Sequence, residues 1–185
     1  MKTYYFPLIF CSVFFISACT DNAPAKPATR KTAVEEANRL SVSPEDFSRR
    51  FNQCMEKLQK TFRIEDIPKI KVGPNQDTFQ SNPTHQITII GTVDKKTGNV
   101  VNAMLVARGN DEQGMENIIV HATGMVAGYK PEIGATNAKK EIRSLIAAYS
   151  PQKEESISRV YQNLRLTYGM QADMGLSHFS VRPAE

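Results

Sequence analysis

The sequence predicts an α+β domain of antiparallel β-hairpins packed by about three helices, on three observations. Apolar residues recur at steps of three and four in three separate stretches between 43 and 149. Apolar residues alternate with polar ones after the first of these stretches and again after the third. Polar turn residues, Asp94 to Gly98 and 171 to 175, split both alternating regions. The order helix-then-hairpin thus occurs twice. The two blocks share no sequence identity, so the repetition is one of topology alone. Helices layered on one face of an antiparallel sheet is the economical architecture for this order.

The elements follow in chain order. Ser43 caps the first helix, with Pro44 in the first turn and Glu45 and Asp46 at its positive end. Phe47, Phe51, Cys54, Met55, Leu58 and Phe62 form its apolar face, and Cys54 reads as a buried, inert thiol. Residues 77 to 80, DTFQ, form a short strand. A hairpin has arms Gln86 to Val93 and Asn99 to Arg108. Gly98 supplies a positive φ in its turn, and Gly91 marks a bulge or a close contact on the face of Ile87, Ile89 and Val93. Asn110 is expected to cap the second helix, with Gln113 at the capping-box position. Met115, Ile118, Ile119, Ala122, Val126 and Tyr129 line one face of it. Gly124 and Gly128 lie opposite, where another backbone can come close. The third helix spans Asn137 to Tyr149 and ends at Ser150-Pro151. The last hairpin places Val160, Leu164, Leu166, Tyr168 and Met170 on one face of a single arm. Phe179 and Val181 point inward from the return arm.

Composition excludes several function classes. The net charge is +4 over 185 residues, and the basic pairs Arg49-Arg50, Lys95-Lys96 and Lys139-Lys140 are scattered among acids. Nucleic-acid binders gather their charge on one face, so no nucleic-acid partner is expected. The chain has three cysteines, Cys11, Cys19 and Cys54, and none has a zinc-ligand spacing. His85, His121 and His178 lack a second ligand at metal-binding spacing, and no nucleophile elbow, P-loop or dinucleotide fingerprint occurs. No catalytic residue, metal or cofactor is therefore expected. The stretch GPNQDTFQSNP, 73 to 83, reads as the loop best suited to a partner, with Asn75, Gln76, Asp77 and Asn82 as its polar contacts.

The first forty residues have a different character. Met1-Lys2 precedes an uncharged run from Tyr4 to Ala18, shorter than the roughly 20 residues of a spanning helix. A positive start and a short apolar run are the pattern of a secretory signal peptide. The run ends in Ile16-Ser17-Ala18-Cys19, which resembles the lipobox of bacterial lipoproteins. That resemblance covers only the first 20 or so residues. It implies removal of residues 1–18 by cleavage between Ala18 and Cys19, and lipidation of Cys19. Thr20, where an inner-membrane protein of this kind tends to carry Asp, implies sorting to the outer membrane of a cell with two membranes. Residues 19–42 then form a flexible tether rich in proline and alanine, and 43–185 a single globular domain.

The function expected from these features is that of a membrane-anchored, periplasm-facing lipoprotein. Its domain is a non-catalytic protein-binding module of immunity, exclusion or secretion-system accessory type. The expected partners are the membrane, through the lipid on Cys19, and an envelope protein. Two alternatives stand beside this expectation. One is a cell-envelope enzyme with residues assembled from distant loops. The other is a carrier of an apolar small molecule, which predicts a large internal cavity.

Overall fold

Ser43 opens the first helix as its chemistry demands. In the structure, a computed structural model that describes residues 41–66, 68–108, 111–153 and 155–184, the Ser43 hydroxyl accepts the Asp46 N–H at 3.1 Å. The leader, Ala18, Cys19, Thr20, most of the tether and Asn110 lie outside the described residues. Helix α1 runs Pro44–Lys57. Asp46 pairs with Arg49, whose hydrogen bond holds the Asp46 carboxyl below the usual carboxylate range. The helix stops because Gln59 turns left-handed at φ 55°. The Gln59 and Lys60 amides then reach back to the Glu56 and Met55 carbonyls, each at 2.9 Å, in a Schellman closure. Phe62, expected on the helix, therefore lies beyond it.

The domain begins slightly before the expected boundary. Val42 is buried, and its carbonyl accepts the Val100 N–H at 2.8 Å. Strands β1 (Asp77–Thr84), β2 (Ile87–Val93) and β3 (Val100–Arg108) follow as an antiparallel meander. Strand β1 is longer than the expected DTFQ and carries the sheet through the rest of the presumed loop. Pro83 is tolerated because β1 is an edge strand and bulges between Ser81 and Thr84. Gly91 makes a close contact rather than a bulge: it lies opposite Phe79, and a Cβ there would fall 2.0 Å from the Phe79 ring. Gly98 adopts φ 71°, as its turn requires.

Helix α2 (Glu112–Tyr129) is capped by Asp111, whose carboxylate accepts the Gly114 N–H at 2.7 Å. The cap is thus one residue later than the expected Asn110. From Ile118 to Tyr129 every residue of α2 is buried. Gly124 and Gly128 do not admit a backbone. They take side chains of α1, the Phe51 ring and Met55 at Gly124 and the Phe47 ring at Gly128. Helix α3 (Ala135–Ala148) starts two residues before the expected Asn137, after Gly134 at φ 75°. Glu116 ties α2 to α3 by accepting from Lys139 at 2.6 Å and Arg143 at 2.8 Å.

The C-terminal region holds three strands, where the sequence suggested two arms. Strands β4 (Ser156–Tyr161) and β5 (Leu164–Gln171) are separated by Gln162 and Asn163, both left-handed at φ 51° and 61°. Two positive-φ residues match the two-residue hairpin turn that follows strand twist. The turn moves Val160 off the face of Leu164, Leu166 and Tyr168, and it stands 55% exposed. Strand β6 (Leu176–Pro183) returns with Phe179 and Val181 inward.

All six strands form one antiparallel sheet in the order β1-β2-β3-β6-β5-β4. Helix α2 lies over the central strands β3 and β6, and α3 lies over β4 and β5. Helix α1 packs beside α2 and sets Phe47 against Phe79 of β1, ring centres 6.1 Å apart. Each fully buried aromatic or branched side chain in this interior contributes about 1.5–3 kcal/mol. All three helices cover the same side of the sheet, and that side holds the core.

Candidate functional site: the open face of the sheet

The period of two that sends Ile87, Ile89, Leu105, Phe179 and Leu166 into the core sends their neighbours to the other side. No described helix covers those neighbours. Register gives the arrangement of this open face. One row runs across all six strands as Gln80, Ile90, Met104, Ser180, Thr167 and Ser158. The next row places Thr88, Val106, His178, Gly169 and Ser156 side by side. Ile90, Met104 and Val106 make a half-exposed apolar centre. Hydroxyls border it, and the Ser158 and Thr167 hydroxyls bond at 2.8 Å.

The strand positions of this face carry charge of one sign, and Asp94 lies beside them at the Arg182 end. Arg108 stands at one end, and Arg165 stands opposite Arg182 at the other. No Asp or Glu occupies a strand position facing this way. Like charges directly opposed on a sheet are unfavourable to it. Guanidinium groups do match carboxylates, which they hold by two parallel hydrogen bonds. An open concavity at the Arg182 end is lined by Gln76, Thr92, Asp94, Asn102, Ser180 and Arg182.

The four residues expected to meet a partner divide between the two sides of the sheet. Gln76 lines that concavity. Asn82 is on the open face, where its side-chain oxygen accepts from Thr88 at 3.0 Å and Gln80 at 3.4 Å. Asn75 is exposed just before β1. Asp77 is turned away: it accepts the Gly73 N–H at 3.2 Å and pairs with Lys95 at 3.3 Å. Ile90, Met104, Arg165 and Arg182 belong to the face too. Sequence reading missed them because each lies in a strand whose inward residues drew the attention.

The histidines sort by environment. His85 is exposed in the β1–β2 turn. His178 lies on the open face over Gly169, and burial lowers its pKa. His121 is fully buried in α2, with Nδ1 2.7 Å from the Asn117 carbonyl and its ring 4.6 Å from that of Phe62. Burial lowers the His121 pKa more than the Asn117 carbonyl raises it. Cys54 is buried, and desolvation pushes its thiol pKa up, away from the reactive thiolate. Among the described residues, no three His, Cys, Asp or Glu side chains are grouped to hold a metal, and no helix is long and apolar enough to cross a membrane. Comparison of the chain with protein-family models, with curated proteins and with solved structures gives no match.

Proposed function

We propose that the chain is a lipid-anchored envelope protein whose domain docks a protein partner, without catalysis, on the open face of its sheet. The observation that carries the docking reading is that face itself. It has an apolar centre of Ile90, Met104 and Val106, a border of hydroxyls, arginines at both ends and no carboxylate at the strand positions that face this way, with Asp94 beside the Arg182 end. Protein interfaces are built this way, with an apolar core, a polar rim and arginine enriched. The partner surface that fits presents carboxylates around an apolar patch. The anchor reading rests on Ile16-Ser17-Ala18-Cys19, and the outer membrane is the destination that Thr20 supports.

The two halves of the proposal separate experimentally. A photo-reactive residue replacing Met104 is expected to crosslink one defined envelope protein in intact cells, whereas one replacing Thr136 on the helix side is not. Met104→Glu is expected to abolish that product without loss of folded protein. Identical products from both positions would sink the docking reading. For the anchor, Cys19→Ser is expected to remove fatty-acid labelling, and retained labelling would refute it.

A further inference from the structure

We infer that the outer edge of β4 pairs with β4 of a second copy of this chain, giving a two-fold dimer with one continuous sheet. The two edges of the sheet are treated differently. At β1, Lys71 bridges Thr78 from outside, donating at 2.7 Å and accepting at 3.0 Å. A bulge and Pro83 interrupt the rest of that strand. These are the devices by which proteins close a sheet edge to further strands. Among the described residues, strand β4 has no bulge, proline or bridging segment, and its one charged residue is Arg159. It pairs with β5 in unbroken register from Ser156↔Gly169 to Tyr161↔Leu164 and contains neither proline nor lysine. Among the described residues, no hydrogen bond from outside the sheet reaches the backbone of Ser156–Tyr161.

The one charge on β4 is withdrawn from the edge. Arg159 turns toward α3, where it donates to Glu141 at 2.8 Å and Ser144 at 3.1 Å. What remains is an uncharged edge of Ser156, Ser158 and the exposed Val160 on one side, with Ile157 and Tyr161 on the other.

This edge fits itself in one register. Opposed residues of an antiparallel pair point the same way, so β4 meets its copy centred on either Ser158 or Arg159. Centring on Arg159 opposes two arginines, which is unfavourable. Centring on Ser158 opposes Ser158 to its own copy, Ser156 to Val160 and Ile157 to Arg159, with no like charges facing. The two-fold axis is then perpendicular to the sheet. Both helix layers lie on one side, and both open faces lie on the other. Ser144, which reaches Arg159, and Ala148 one turn later are exposed small residues of α3. Because β1 is closed, pairing ends at two chains instead of running on into a fibre. A six-residue edge buries less than the roughly 1,000 Å² of a durable interface, so the association is weak and concentration-dependent.

Sedimentation equilibrium of the full chain in mild non-ionic detergent tests this, from about 5 to about 500 µM, the range where so small an interface acts. A monomer–dimer equilibrium is expected. Val160→Lys, at an exposed position, is expected to weaken it at least tenfold with an unchanged circular dichroism spectrum. Register is read by mild oxidation of cysteine variants, against the parent chain as control for its own thiols. Ser158→Cys is expected to bridge, since opposed Cα atoms about 4.5–5.5 Å apart lie within disulfide reach. Val160→Cys, about 13 Å from its own copy in this register, is not. Monomer at every concentration, a dimer indifferent to Val160→Lys, or equal bridging at 158 and 160 would each overturn the inference.

Discussion

His121 shows how much a single residue's surroundings decide. Its ring is packed against Phe62 and Phe51, its Nδ1 faces the Asn117 carbonyl, and its Nε2 has no partner. The geometry suits a neutral ring with the proton on Nδ1. Protonating Nε2 would place a charge in an apolar interior, so the folded pKa falls below the unfolded value near 6.5. The unfolded chain then binds the proton more readily than the folded chain, and stability is lost as pH drops through about 6.5. Burial lowers the His178 pKa too, which acts in the same direction. Urea midpoints are expected to be level above pH 7 and to decline from about pH 6.5 downward, with His121→Phe reducing that slope. An unchanged slope in His121→Phe would assign the effect elsewhere. The depressed carboxylates Asp46, Asp94 and Glu116 act in a lower window, since they protonate only below the usual carboxylate range. The sequence showed a histidine beside the apolar face of a helix. It could not show that α1 and the chain after it enclose the ring.

At the scale of the element, legibility followed the number of inward residues. Helix α1 was readable because its cap, first-turn proline and apolar steps all agree, and its closure at Gln59 was not because no glycine marks it. Only the first half of strand β1 was read as strand since only Phe79 along it is buried, too few to show alternation. The β4–β5 turn was hidden because Gln162-Asn163 lacks glycine, and the even-numbered apolar positions Val160, Leu164 and Leu166 alternate straight through it. The α1–α2 contact is the element whose tolerance is easiest to measure. A Cβ on Gly124 would stand 2.6 Å from the Phe51 ring and 2.7 Å from the Met55 methyl. Gly124→Val is expected to cost about 1–3 kcal/mol through overpacking, read as a lowered urea midpoint at unchanged slope. No loss would mean that α1 can move away from α2 freely.

Across the whole molecule, the α+β class and the repeated helix-then-strands order were legible from periodicity. The order of strands was not. Pairing β3 with β6 joins residues some seventy positions apart, and nothing local signals so distant a contact. The open face depends on that pairing and on all three helices choosing the same side, so it appears only once the sheet is assembled. Val42, held to Val100 at the start of β3, has a consequence of its own. Strand β6 runs antiparallel to β3 and finishes near the same end, where Ala184 donates to the Asn163 carbonyl at 2.8 Å. The first and last described stretches of the domain therefore meet at one rim of the sheet. Circular permutation should succeed: a short linker from Ala184 to Ser41, with new ends in the exposed turn at Pro151–Lys153, is expected to keep a single cooperative melt and a native circular dichroism spectrum. A permutant that failed to melt cooperatively would show that the chain needs its natural order to fold, and not only its natural contacts.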